Sequence, residues 1–299
     1  MKVFLTGGTG FLGRPLVEAL LARGDSCTVI SRQEAKPWGD RVTMVRGDTL
    51  EPGAWQRAVD GHDVVVNLAG IPLVEPPIRW TAARKDLLRR SRVDTTIHVA
   101  DAIRRAPNRP KQFLSASAVG YYGDRGDRTI DDHATAGDDF LAQLCLQWER
   151  AAEAVGDVTG VARLRIAPVV GKGGGILAPL LTPFKLGLGG PWGPGTQWLP
   201  WIALEDWVRA ALFIMDKAFD GPINITAPEP VTVATFARTL GRALHRPAVI
   251  PLPTVALKLA LGEQAMVLLV SQRLVPRRLR EAGFAWKHGT LQGALERSI

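Results

Sequence analysis

Short apolar runs alternate with longer helical patterns through the first half of the chain. The runs are rich in Val, Ile, Leu and Phe, and they lie at 2–7, 27–32, 42–48, 63–70, 111–117 and 161–167. Between them, the pattern predicts helices at 11–23, 80–105 and 138–155. Apolar strands that alternate with helices are typical of a parallel sheet covered on both faces. Because such crossovers are right-handed, we expect a doubly wound α/β fold with a ligand crevice at the carboxyl ends of its strands.

The second half of the chain has a different composition. Residues 171–201 are rich in Gly, Pro and Trp, which predicts an extended loop region with short helices that covers a pocket. The helical pattern resumes at 231–247, and further helices follow it. We therefore expect two regions. The first domain comprises residues 1–170 and 202–226. A smaller, mainly helical substrate or lid region comprises residues 171–201 and 227–299.

The charge of the chain is positive, with 37 Lys and Arg against 29 Asp and Glu and a net charge of +8. The basic residues are scattered, apart from the dense runs 84–92 and 273–280. A phosphorylated cofactor accounts for this balance as well as a nucleic acid does. We expect a small-molecule substrate and no nucleic-acid partner.

Sequence features that govern location favour a soluble cytoplasmic protein. The longest apolar stretch, 252–270, is interrupted by Lys258 and Glu263, so it predicts a buried or pocket-lining helix and no membrane partner. Cys27 and Cys145 lie in a predicted strand and a predicted helix, which argues against a disulfide framework and a metal site. The sequence leaves monomer and homodimer open.

A glycine-rich turn, TGGTGFLG at 6–13, follows the first strand and opens the first helix. Gly8, Gly10 and Gly13 satisfy the spacing G-x-G-x-x-G, and Gly7, Gly10 and Gly13 give an evenly spaced variant. Glycines at these positions permit a tight turn and let backbone N–H groups approach a pyrophosphate at the helix N-terminus. The turn therefore predicts a bound dinucleotide.

The end of the second strand bears on the choice of cofactor. A carboxylate there binds a ribose hydroxyl, whereas a basic residue accommodates a 2′-phosphate. This chain has Ser31 and Arg32 and no carboxylate, which favours NADP over NAD. The alternative for Arg32 is a solvated surface arginine.

Further motifs follow the glycine turn in a specific order: RGD at 46–48, NLAG at 67–70, LSASAVGYYG at 114–123, LRIAPVVG at 164–171 and PGTQWLPWIALEDWVRAAL at 194–212. In this combination the chain resembles the extended short-chain dehydrogenase/reductases, the Rossmann-type fold of nucleotide-sugar epimerases and dehydratases. The motifs RWT at 79–81, SR at 91–92 and SQRLVPRRLREAGFAW at 271–286 are similar to those of an uncharacterised epimerase-like subgroup with its own C-terminal domain.

The resemblance implies positions for the cofactor. It puts these residues at the pyrophosphate: Gly7, Gly10, Phe11, Leu12 and Gly13. It puts Arg32 at the adenosine phosphate and Asp48 at the adenine. The other implied positions are the ribose and diphosphate side for Leu68, Ala69 and Gly70, and the nicotinamide end for Arg165 and Pro168. Ordinary packing at the strand ends is the alternative for each of them.

The chain departs from this family at the catalytic helix. The family's Tyr-x-x-x-Lys pair appears as Leu141 and Cys145. Ser117 is then expected to orient a carbonyl or hydroxyl group, and Tyr121 or Tyr122, the two tyrosines of the chain, to donate the proton. A phenol with an ordinary pKa of about 10 and no lysine beside it is an acid rather than a base at neutral pH, which favours reduction.

A second departure concerns the substrate. Arg92 stands where the family has Asn, and an arginine there can bind a carboxylate or phosphate. Lys85 and Arg89 extend this face of the predicted helix, although a charged outer face is the alternative. Aromatic pocket walls are available from the following tryptophans, of which at least two are expected in the core: Trp192, Trp198, Trp201 and Trp207.

Two functions are consistent with the sequence. One is an NADP-dependent, epimerase-like oxidoreductase that acts on a small carbonyl, hydroxyl or nucleotide-sugar-like substrate. The other is a non-catalytic NADP(H)-binding sensor or regulatory module, which the missing Tyr and Lys would explain.

Overall fold

The computed structural model describes residues 1–33, 37–75 and 77–299. Its strands are β1 (Lys2–Thr6), β2 (Ser26–Ser31), β3 (Val42–Arg46), β4 (Val64–Asn67), β5 (Gln112–Ala118), β6 (Thr129–Ile130), β7 (Gly160–Ile166), β8 (Val169–Val170), β9 (Trp198–Leu199), β10 (Ile202–Ala203), β11 (Gly221–Ile225), β12 (Val231–Thr232) and β13 (Arg273–Leu274). Its α-helices are α1 (Gly13–Ala22), α2 (Ala82–Arg90), α3 (Val93–Arg105), α4 (Phe140–Glu153), α5 (Leu177–Lys185), α6 (Leu204–Asp216), α7 (Val233–Ala243), α8 (Thr254–Leu261), α9 (Met266–Leu269), α10 (Arg277–Glu281) and α11 (Leu291–Ser298).

A seven-stranded sheet with the order β11-β7-β5-β4-β1-β2-β3 forms the centre of the fold. Every pairing within it is parallel. The strand order runs outward from β1 in both directions, so the carboxyl ends of all seven strands meet at one edge. The predicted doubly wound, Rossmann-type fold is confirmed.

Alternate residues of β1 show how the sheet is buried on both faces. Val3 and Leu5 belong to a core that includes residues of α1 and α6, whereas Phe4 belongs to a core that includes residues of α3 and α4. All three side chains are fully buried. Each contributes about 1.5–3 kcal/mol through removal of its apolar surface from water.

The C-terminal region has a core of its own. Residues of α5, α7 and α11 meet there, among them Phe184, Phe236 and Leu295. Further along the chain, strand β13 of the C-terminal region pairs with β6, which follows β5 in the first half of the chain. The strand β11 lies at the edge of the main sheet, next to β7. The division into two domains at residue 170 stays a prediction.

The helix predicted over 80–105 is in fact two helices. The break lies at Ser91 and Arg92, where the Ser91 hydroxyl donates to the Leu88 carbonyl at 3.0 Å. Lys85 binds Glu263 at 2.6 Å and Arg89 binds Asp94 at 2.7 Å. These ion pairs favour the charged outer face that was the alternative for Lys85 and Arg89, and a substrate patch that they share with Arg92 stays a prediction.

Candidate functional site

The glycine turn between β1 and α1 is folded against the loop that follows β4. Gly7 has a φ of 65°, and a Cβ at this residue would lie 2.7 Å from the carbonyl carbon of Leu68. A Cβ at Gly13 would overlap the Gly7 carbonyl oxygen. The Gly10 amide donates to that oxygen at 3.0 Å, which closes the turn. No described side chain caps the N-terminus of α1, so its backbone N–H groups are available to an anion.

The side chain of Phe11 lies beneath a second glycine-rich segment. Cβ atoms added at Gly171, Gly174 or Gly175 would each clash with or crowd its ring. Leu12 is half-buried, and its carbonyl accepts a hydrogen bond from the Trp207 indole at 3.3 Å. These contacts join the glycine turn to the loop after β8. The backbone of Phe11 and Leu12 lies within the turn, and their contact with the pyrophosphate stays a prediction.

The other residues expected at the cofactor lie along the same edge of the sheet. Arg32 and Asp48 are exposed at the ends of β2 and β3, and the Asp48 carboxylate accepts from the Leu50 amide at 3.0 Å. The segment after β4 is tied to β1, because the Ala69 amide donates to the Thr6 hydroxyl at 3.3 Å. Leu68 is half-buried beside it, and Gly70 is exposed. The structure thus brings these positions to one rim.

A row of polar residues crosses the sheet at its carboxyl edge. Ser117, Arg165 and Asn224 are in register on β5, β7 and β11. The Ser117 hydroxyl donates to Glu149 Oε1 at 2.7 Å, and Arg165 binds both oxygens of Glu149 at 2.8 Å. All four side chains are buried. A paired charge of this kind is stable in the interior because each partner satisfies the other.

Tyr122 belongs to this buried row. Its hydroxyl donates to Asn224 Oδ1 at 2.6 Å and accepts from Arg165 Nη1 at 2.9 Å. The side chain is fully buried, and burial raises the pKa of the phenol well above its ordinary value. The structure therefore gives Tyr122 a packing role and does not bring it to a solvent-filled cleft.

Tyr121 differs from its neighbour in exposure and contacts. Its side chain is half-buried, and the Arg165 guanidinium lies 3.5 Å from the centre of its ring. The ring also packs edge-on against Tyr122, with 5.3 Å between the centroids. This cation–π contact between Arg165 and Tyr121 restricts the orientation of the Tyr121 ring. The burial of Arg165 disfavours its expected contact with the nicotinamide, whereas Pro168 is half-buried at the rim.

At the two positions where the family has Tyr and Lys, helix α4 has Leu141 and Cys145. A Cβ at Gly120 would lie 3.4 Å from Leu141 Cβ and 3.8 Å from Cys145 Sγ, so both side chains pack against the segment that holds Tyr121. Burial raises the pKa of the Cys145 thiol to about 12. The thiol is therefore neutral near pH 7 and does not replace the missing lysine.

Arg92 lies inside the protein. Its guanidinium donates to the Leu88 carbonyl at 3.2 Å and the Ile71 carbonyl at 2.8 Å, and it lies 5.5 Å from the Trp148 ring centre. Burial lowers the pKa of Arg92 to about 10. Substrate binding by Arg92 stays a prediction, which this burial disfavours.

A cleft of about 540 Å³ opens at the segment that follows the tyrosines, since Asp124 is part of its lining. Its lining consists of Asp124, Lys258, Gly262, Glu263, Ala265, Met266, Leu269 and Val270. The buried Gln272 holds the tyrosine segment in place, since its amide donates to the carbonyls of Val119 and Gly123, each at 2.9 Å. Sequence reasoning missed both Gln272 and Glu149. For Glu149, a carboxylate on the apolar face of α4 was the available signal; Gln272 lies in a polar, basic segment and gave none.

Three of the four tryptophans named above, Trp192, Trp201 and Trp207, are buried, and Trp198 is half-buried. The Trp198 indole donates to Asp127 at 2.9 Å, and Arg273 lies 4.7 Å from its ring centre. Over the described residues, neither a helix of the length and apolarity of a bilayer span nor a metal-binding group of His, Cys, Asp and Glu is found.

A parallel Rossmann-type sheet with a glycine turn after its first strand, opening onto an uncapped helix N-terminus, defines a dinucleotide-binding protein. The chain belongs to the NAD dependent epimerase/dehydratase family, whose model matches residues 3–226. Residues 252–298 match a second model, described as a domain of unknown function (DUF1731). The family resemblance, with a distinct C-terminal domain, is confirmed.

Relatives align with the whole chain. The Bos taurus epimerase family protein SDR39U1 is 40% identical, with 100% of each chain covered. The epimerase family protein YfhF of Bacillus subtilis is 34% identical, over 100% of this chain and 98% of its own length. The crystal structure of human SDR39U1 with NADPH has a TM-score of 0.89 and 36% identity, and the similarity covers 99% of this chain and 98% of that one.

Proposed function

We propose that the protein is an NADPH-dependent reductase of a small, largely apolar carbonyl compound, with Tyr121 as the proton donor. The single observation that carries this proposal is the half-buried Tyr121, which follows the carboxyl end of β5 and stands three residues before Asp124 of the cleft lining. Bound NADPH supplies the hydride. The residues of this chain bind the cofactor, support the phenol and shield the reacting atoms from water.

Three observations support NADP as the cofactor. The glycine turn leaves backbone N–H groups of α1 for the pyrophosphate, and the human relative was solved with NADPH. Arg32 is exposed at the end of β2, where a 2′-phosphate would lie.

Arg32→Asp is therefore expected to weaken NADPH binding about tenfold, because the variant loses a charge-assisted hydrogen bond to the phosphate. NADH binding should change little. Titration calorimetry with both cofactors measures this, and Arg105→Asp, an exposed arginine in the last turn of α3, is the matched control. Equal losses for NADPH and NADH would contradict the assignment of Arg32.

The chemistry of the cleft supports a substrate without phosphates. Ala265, Met266, Leu269 and Val270 supply an apolar wall. Lys258 is the one ammonium group in this lining, which also contains the carboxylates of Asp124 and Glu263, and Glu263 binds Lys85. A nucleoside diphosphate would find little compensation for its charge here, since its desolvated phosphates need several cationic or N–H donors. An uncharged carbonyl compound fits this lining better.

Tyr121→Phe should lower kcat about 100-fold with NADPH, because the developing alkoxide loses its proton donor. Tyr122→Phe is the matched variant on the neighbouring residue. It should keep kcat within about threefold but lose about 1–3 kcal/mol of unfolding free energy, because Asn224 and Arg165 lose a buried partner. A panel of apolar aldehydes and ketones, followed by NADPH absorbance, measures kcat. Unchanged turnover in Tyr121→Phe would remove the phenol from the mechanism.

The second candidate function is a non-catalytic NADP(H) sensor. The buried Leu141 and Cys145, which occupy the positions of the family's Tyr and Lys, favour it. Such a module would bind NADPH and never consume it over repeated additions of any carbonyl compound. The cytoplasmic location and the choice between monomer and homodimer stay predictions.

A further inference from the structure

Exposed apolar side chains are concentrated on one side of the C-terminal region. Among the described residues, seven of the eleven exposed large hydrophobic side chains lie in only two segments. They are Leu186, Leu188, Val249, Ile250, Leu252, Val255 and Leu259, which we call the apolar face. Scattered exposed leucines are ordinary in proteins, but a cluster of this kind marks an interaction site.

Hydrogen bonds make the two segments one surface. The Ile250 amide donates to the Gly189 carbonyl at 3.1 Å, and the Leu252 amide donates to the Pro191 carbonyl at 2.9 Å. Helix α8 follows directly, with Val255 and Leu259 on successive turns and 69% and 74% exposed. Because residues four apart share one side of a helix, α8 presents these two apolar side chains together.

The charges around the apolar face have one sign. Lys185, Arg242 and Arg246 are exposed there, and within the described part of the chain none of the three has an ion pair. The backbone links two of these positions, since the Arg246 guanidinium donates to the Lys185 carbonyl at 3.0 Å. Residues 172–204 and 230–262, which build this side of the molecule, contain no Asp or Glu. The partner of this face must therefore be both apolar and anionic.

We propose that the apolar face binds the surface of an anionic lipid bilayer. Apolar side chains that enter the acyl boundary, surrounded by Lys and Arg at the level of anionic headgroups, are the features of a protein that lies on a membrane without crossing it. This proposal revises the expectation of no membrane partner, which followed from the lack of a span. A second copy fits less well, because two such cationic faces repel each other.

Binding of the NADPH-loaded full chain to vesicles tests the proposal. Co-sedimentation compares vesicles of phosphatidylcholine alone with vesicles of equal parts phosphatidylcholine and phosphatidylglycerol. We expect binding to the anionic vesicles only, and weaker binding at high salt. The double variants Val255→Gln/Leu259→Gln and Lys185→Glu/Arg242→Glu should each weaken this binding at least about tenfold. The matched control is Ile97→Gln/Arg105→Glu on α3, where both side chains are exposed.

The variants should keep the cofactor affinity and circular dichroism of the parent protein, so that a loss of vesicle binding is not a loss of fold. The proposal would be overturned if the parent protein bound anionic vesicles no more strongly than the two face variants do. It would also be overturned if the parent protein bound neutral and anionic vesicles equally. Light scattering provides the remaining outcome: a dimer that dissociates in Val255→Gln/Leu259→Gln would identify a second copy as the occupant and overturn the lipid proposal.

Discussion

Replacing Gly7 by alanine is expected to weaken NADPH binding more than about 300-fold, or about 3 kcal/mol. The added methyl group would lie 2.7 Å from the Leu68 carbonyl, so the turn and the loop after β4 must separate. Separation moves the backbone N–H groups of the turn away from the pyrophosphate, which depends on their close approach. Titration calorimetry or the quenching of tryptophan fluorescence by NADPH measures the loss.

Gly61→Ala provides the control for backbone strain. Gly61 has a φ of 75°, close to that of Gly7, but among the described residues no atom lies within 4 Å of an added Cβ. Both variants pay the same conformational penalty, and only Gly7→Ala adds a clash. Similar NADPH affinities in the two variants would show that the glycine turn does not hold the cofactor.

Glu149→Ala is expected to lower the free energy of unfolding by about 3–5 kcal/mol, because it leaves the Arg165 guanidinium buried without its counter-ion. Ser117 loses its acceptor in the same change. Urea denaturation followed by circular dichroism measures the effect. Tyr121, whose ring rests on Arg165, should also lose its fixed direction, so kcat should fall more than KM changes.

The neighbouring ion pair between Arg163 and Glu153 provides a control that distinguishes the effect of burying a charge from the effect of removing one. Glu153 is exposed, so Glu153→Ala removes a carboxylate from the same helix at a cost of about 0–1 kcal/mol. A cost for Glu149→Ala no larger than that of Glu153→Ala would mean that the buried network does not stabilise the fold.

The sequence was sufficient for the sheet and for its cofactor edge. Apolar strands that end in glycine or a polar residue locate the carboxyl edge. The glycine turn can be predicted because all the residues that form it lie in one short segment. Arg32 and Asp48 lie at strand ends for the same reason. These features depend on residues near one another along the chain, which is why pattern and resemblance recover them.

The buried network could not be predicted, because it depends on register between distant strands. Ser117 and Arg165 become partners only when β5 pairs with β7, and Glu149 reaches them only from α4. The burial of Arg92 could not be predicted from the sequence either. The helical pattern across 80–105 groups it with Lys85 and Arg89, whereas the structure divides this helix at Ser91 and Arg92 and buries the Arg92 guanidinium against the Leu88 carbonyl.

Gln272 has a consequence for the order in which the protein forms on the ribosome. It holds the segment of Tyr121 although it is 149 residues distant from Gly123, one of its two partners. The strands that surround the glycine turn are synthesised long before it, so the nucleotide edge can assemble while the tail is still being translated. The nascent chain can therefore form a place for the cofactor first, and the cleft, most of whose lining lies at 258–270, is completed later.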